Sequence, residues 1–122
     1  AGGELFRKNG KTDITILFEN KSAFVAECKL WKGPSYVSDG IDQLLGYLTW
    51  RDAKTSLIIF NKDNKNFSDI QNQIESIFKG HKGFVKKSDA KEGEWRFVFT
   101  KPDDLGRMIV IHVFLFDIFS KS

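Results

Sequence analysis

One cysteine, two prolines and one methionine are all that 122 residues hold of those types. A lone cysteine, Cys28, excludes an internal disulfide and a cysteine zinc site, and it makes a reducing, cytoplasmic setting the expectation. No stretch approaches the ~20 apolar residues of a membrane span, and the N-terminus shows no signal-peptide pattern, so a soluble chain with no membrane partner is expected. A Gly-rich phosphate loop, a GxGxxG fingerprint and a serine-histidine-acid set are also missing, which removes the nucleotide-binding and serine-hydrolase classes those patterns carry. There is no internal repeat, low-complexity tract or linker, and the length suits one domain, 1–122. Charge of one sign is not in large surplus either. Nineteen basic and sixteen acidic residues leave a net +3, which is compatible with a polyanionic partner without pointing to one.

What is present begins with hydrophobic mass. Hydrophobic residues make up 41% of the chain, twelve of them Phe, enough for a core. Ile14 to Phe18 and Ala23 to Cys28 read as two strands of a hairpin, with Asn20-Lys21-Ser22 as the loop between them. Side chains alternate along a strand, so Asp13, Thr15, Val25, Glu27 and Lys29 share one face. Ile14, Ile16, Phe18, Phe24, Ala26 and Cys28 share the other, which is nearly all apolar and is expected to be the core side. Two carboxylates held together repel unless a cation lies between them, and a hard divalent ion such as magnesium, with oxygen ligands, suits that position. The plainer account is a solvated strand face carrying Glu27 and Lys29, with Asp13 as a turn residue.

Asp13, a gap of thirteen residues and Glu27-x-Lys29 at the end of an apolar strand resemble the PD-(D/E)XK nuclease superfamily, which includes many restriction endonucleases. Gln43-Leu44-Leu45-Gly46-Tyr47 adds a Q-x-x-x-Y pattern similar to that of RecB-like exonucleases. The resemblance spans residues 1 to 61 and leaves 62–122, a helix and further strands, to be read on their own. It implies an α/β fold, a restriction-endonuclease-like mixed β-sheet flanked by helices. It also implies a metal-dependent nuclease domain acting on DNA. Asp13, Glu27 and the Cys28 main-chain carbonyl would hold Mg2+ or Mn2+. Lys29 and Gln43 would complete the catalytic set, and Lys32, Tyr47, Arg51 and Lys54 would meet nucleic acid. Flanking carboxylates favour a charged amine, so the electrostatic role suits Lys29 better than that of a base.

The family's core opens with a helix that often supplies one more acid. Here Glu4-Leu5-Phe6-Arg7 reads as a strand running into the Asn9-Gly10 turn, so that helix is missing. Glu4 or another subunit is the candidate source of that acid, set against the favoured reading of Glu4 as an exposed strand carboxylate. A chain opening on a strand is expected to be a domain excised from a larger protein. Its partners beyond DNA would be a second copy or the further domains of that protein. An alternative follows from the missing helix: an inactive nuclease-fold module that binds nucleic acid, nucleotide or a protein partner.

Elsewhere, Leu30 to Ser35 is a loop and a helix is expected over 39–51, capped by Ser38 or Asp39, with Ile41, Leu44, Leu45 and Leu48 buried. Ser56 to Phe60 reads as a strand buried on both faces. Phe67, Ile70, Ile74, Ile77 and Phe78 recur at helical spacing, with Ser68 and Gln71 as a capping box and a stop near Gly80. Strands are expected from Phe84 and over Trp95 to Thr100, then a turn over Pro102 to Gly106 and a long core strand from Met108 to Phe116. His81 reads as a surface loop residue, His112 as a hydrogen-bonded structural one, and at least two of Trp31, Trp50 and Trp95 as core.

Overall fold

The computed structural model describes residues 6–7, 14–18, 21–47, 54–101 and 104–120. Within them the chain is α/β. The elements are β1 (Phe6–Arg7), β2 (Ile14–Phe18), β3 (Lys21–Leu30), α1 (Pro34–Tyr47), β4 (Lys54–Asn61), α2 (Phe67–Lys79), β5 (Phe84–Lys91), β6 (Glu94–Lys101) and β7 (Asp104–Asp117). The strands form one mixed sheet in the order β1-β2-β3-β4-β7-β6-β5. Its centre, β3-β4-β7, is parallel, and antiparallel arms extend it on both sides.

Several boundaries differ from expectation for local reasons. α1 starts at Pro34 rather than at 39, because proline is pre-set for the first helical position, where its missing N–H is not needed. The α2 cap is Asn66, whose side chain accepts from the Asp69 N–H, and not the Ser68–Gln71 box. β7 takes in Asp104 to Gly106, expected as a turn. In the first hairpin, Lys21 and Ser22 belong to β3, and a bulge between Ile16 and Leu17 sets the register at Ile14 opposite Ala26. Odd residues still face odd ones beyond the bulge, but the pairing lies two residues from the one a three-residue loop would give.

The core lies on one side of the sheet. Val25, Leu57, Ile59, Phe97, Ile111 and Val113 project from alternate positions of four strands into a cluster with Ile41 and Leu44 of α1 and Ile70, Ile74 and Phe78 of α2. Phe78 stacks on Phe97 at 4.6 Å between ring centroids. Both helices therefore cover the same face, the one that carries Val25, Glu27 and Lys29. The expectation that the Phe24-Ala26-Cys28 side is the core side is wrong. The connection between adjacent parallel strands has one favoured hand, so topology picks the face α1 covers before local polarity does. Among the described residues no helix lies on the other face. There Met108 is 58% exposed, Val110 50% and Phe116 47%, so the long β7 run is buried on one side only.

Glu75 ties α2 to β5. Its carboxylate accepts from Lys87 at 3.1 Å and from Lys79 at 3.3 Å. The Lys87 hydrogen bond, opposed by partial burial and helped by Lys79, holds the Glu75 carboxyl below its ordinary value of 4.5. A depressed carboxylate stabilises the fold above its unfolded pKa, and that contribution is lost as pH falls through the lower folded value. Glu75→Gln is expected to lower unfolding stability in urea by ~0.5 kcal/mol at neutral pH, as for other partly exposed pairs. The difference between the two proteins should shrink as pH falls below 4.5.

Candidate functional site

β3 brings Glu27 and Lys29 to the same face, two residues apart along a pleated strand. Glu27 is 5% exposed, a rare state for a carboxylate that lacks a neighbouring cation or donor. Lys29 Nζ lies 3.7 Å from Glu27 Oε2, so each charge offsets part of the other's desolvation.

The helix above makes the room. A Cβ built on Gly40 of α1 would lie 3.0 Å from Leu57 Cδ1, 3.5 Å from Lys29 Cγ and 3.6 Å from Lys29 Cε. The aliphatic stem of Lys29 thus passes beneath a helical residue that has no side chain, while its ammonium emerges beside Glu27. β3 and β4 are parallel, so α1 must run back against them, from the Lys29 end towards the Val25 end. Gln43, one turn beyond Gly40 on that path, is therefore carried in the direction of Glu27. Its Oε1 is buried and meets no hydrogen-bond donor among the described residues, and Thr55 Oγ1 on β4 likewise has no partner among them. Thr55 pairs with Val25 in the strand register. A buried carbonyl left unpaired costs about 1–3 kcal/mol, and such groups mark places where a water, ion or ligand would supply the partner.

The other candidates divide. Cys28, in register with Ile58, sits between Glu27 and Lys29, with its half-buried side chain on the opposite face. Lys32 is exposed, with its Nζ 5.9 Å from the Tyr36 ring centroid. Lys54 is exposed too, but it pairs with Phe24 at the far end of β3 from Lys29. Lys32 and Lys54 are therefore not brought together. Asp13, Glu4 and Arg51 lie outside the described residues, as does the side chain of Tyr47. Among the described residues no group of three or more His, Cys, Asp or Glu is placed to hold a metal. The oxygen donors of the implied set that can be located are those of Glu27 and the Cys28 backbone, and oxygen is the ligand type Mg2+ takes.

Two features escaped the sequence reading. Gly40 drew no remark inside the helix expected over 39–51, though an isolated glycine in a helical pattern often has a packing reason. His81 was a surface residue, yet its side chain is 7% exposed. The Gly83 N–H donates to its Nδ1 at 2.9 Å, which leaves Nε2 as the protonated nitrogen, donating to Asp42 Oδ1 at 2.7 Å. That contact clips α1, next to Gln43, to the loop after α2. A cleft of ≈ 440 Å³ between α2 and the β5–β6 turn is lined by Gln71, Glu75, Lys79, Lys91 and Trp95 among others, none of them from β3 or α1.

Comparison of the chain with models of known families, with curated proteins and with solved structures finds no match.

Gly40→Val is expected to be destabilising by about 1–3 kcal/mol in chemical denaturation, the usual effect of adding methyls to a packed site. The nearest neighbour is Leu57, itself fully buried, so the strain should pass to the Lys29 stem. An unchanged midpoint would show that α1 does not rest on β3 at this residue.

Proposed function

We propose that the chain is a metal-dependent nuclease domain that hydrolyses DNA, on a restriction-endonuclease-like sheet. The observation that supports this best is the buried Glu27 beside Lys29 on one strand face, 3.7 Å apart, beneath the helix that carries Gln43. Asp13 directly precedes Ile14, and Ile14 pairs with Ala26, the neighbour of Glu27. The spacing of Asp13, Glu27 and Lys29 is that of the family the sequence resembles.

A bound Mg2+ or Mn2+ would polarise the scissile phosphate and lower the pKa of a coordinated water. Glu27 Oε1 and Oε2 and the Cys28 carbonyl, with Asp13, are the oxygens that would hold it. Lys29 Nζ carries positive charge towards the phosphate oxygens and stabilises the charge that develops on them. Gln43 Oε1, buried and without a described donor, would accept from a water or from the ammonium and orient that donor without itself exchanging a proton. Gly40 keeps α1 low over the site and excludes solvent from the Lys29 stem.

One observation favours a second reading, a nuclease-fold module that binds DNA without cutting it. Lys29 Nζ lies 3.7 Å from Glu27 Oε2 and offsets part of its charge, a pairing that also serves a purely structural role. Cleavage assays separate the two.

Supercoiled and linear DNA should be cut in the presence of Mg2+ or Mn2+ and not with chelator. Glu27→Ala should abolish cleavage, and Lys29→Met should reduce it by ~10²-fold or more, the scale of a lost charge-stabilising group. DNA binding, read as a shift that weakens with salt, should survive both changes. Cleavage persisting in Glu27→Ala would overturn the assignment, and salt-sensitive binding with no cleavage by the unaltered chain would establish the binding module instead.

A further inference from the structure

We propose that the face of the sheet opposite α1 and α2, which no described helix covers, is the docking surface for a second copy of this chain, packed sheet on sheet about a two-fold axis. The inference is independent of the nuclease reading, because Glu27 and Lys29 point to the opposite face.

The face is continuous across the parallel centre. Leu30, Phe60 and Phe116 stand in one register row across β3, β4 and β7, with Cys28, Ile58 and Phe114 in the row beside it. Phe60 stacks against Phe116 at 5.8 Å, and Phe114 lies parallel to Phe116 at 6.0 Å with an interplanar angle of 1°. Of these rings Phe116 is exposed and Phe60 and Phe114 are half-buried. Met108, Val110 and Phe116 expose about half their surface.

Its size suits a stable pair. The strip from β3 to β6, four strands wide and as long as Met108 to Phe116, measures roughly 20 by 30 Å at the usual strand spacing and rise. That is on the order of 600 Å² per copy, close to the ~800 Å² a side of a standard specific interface and above a typical crystal contact.

Charge selects the occupant. From Ala26 to Leu30, Ser56 to Phe60 and Met108 to Phe116, the side chains of this parity include no Asp, Glu, Lys or Arg. On β6 the same face carries Glu94 and Arg96, one of each sign, opposite Phe114 and His112. A polyanion finds no surplus of positive charge here. Two copies of such a face meet without repulsion, although each whole chain carries +3. Identical twisted sheets stack at about −30° with their side chains interdigitated, and the two-fold arrangement makes one patch serve both sides of the contact and closes the assembly at two.

Sedimentation equilibrium of the 122-residue chain at micromolar concentration should give twice the single-chain mass. Val110→Lys and Phe116→Lys should each weaken dimerisation by ~100-fold or more, since two-fold symmetry buries two unpaired ammonium groups. Both positions are half exposed in a single copy, so far-UV circular dichroism should not change. A third measurement needs no substitution. Reaction of the Cys28 thiol with a chromogenic disulfide should be slower in concentrated than in dilute protein. A single-chain mass at micromolar concentration would overturn the proposal, as would a two-chain mass that survives both lysine variants or a thiol rate independent of concentration. A single-chain species that co-sediments with phosphatidylcholine vesicles would likewise overturn it and assign the face to lipid.

Discussion

How closely α1 can sit on β3 governs the rest of the structure. At Gly40 an added Cβ would lie 3.0 Å from Leu57 Cδ1, close enough that the leucine must give, and in ordinary contact with the Lys29 stem at 3.5–3.6 Å. Because the helix is that close, Glu27 is shut away from water, and because it is shut away it needs a cation. Lys29 supplies one from the same strand. Leu57 and Ile59 on β4, and the α2 side chains behind them, then fill the space the helix defines. His81 secures the arrangement from the far side by holding Asp42, one residue from Gln43.

The parallel centre imposes a second constraint. A strand in a parallel arrangement is usually covered on both faces, since each crossover helix lands on one of them. Here α1 and α2 both land on one face, so apolar residues of the other parity remain uncovered among the described residues. The residue choice on β4 reflects this: Thr55, Leu57 and Ile59 are fully buried, whereas Ile58 and Phe60 are only half so. The sheet was composed for burial on two sides, and the described helices cover one.

Elements whose signal is local were legible in the sequence. The 3–4 spacing of Ile70, Ile74 and Phe78 placed α2 within a residue of its ends, and the β-branched runs located β4, β6 and β7. Glu27 and Lys29 fell on one face because the strand period demands it. What failed depended on partners distant in the chain. Apolar content named the Phe24-Ala26-Cys28 side as core, but the hand of the β3-α1-β4 connection decided otherwise. His81 looked like a surface residue because Asp42, 39 positions away, is invisible to any local pattern. α1 was begun five residues late because Gly33-Pro34 reads as a breaker, and a proline there is equally a helix start.

Several departures from local rules fall in one unit, although Lys101 on β6 is buried as well. A carboxylate under a helix, a glycine in the middle of that helix, a glutamine oxygen with no described donor and a threonine hydroxyl with none all occur within the β3-α1-β4 unit. The carboxylate, the glutamine oxygen and the threonine hydroxyl each lower stability by an amount that an apolar residue at the same position would not, whereas the glycine is there because the helix lies too close for a side chain. Packing alone would favour those replacements, because exchanging a buried ion pair for apolar residues of similar volume is commonly neutral or stabilising. Strained or under-satisfied groups scattered over a fold suggest tolerance. The same groups set around one carboxylate and one ammonium support the proposal that chemistry rather than packing set the residues of that unit.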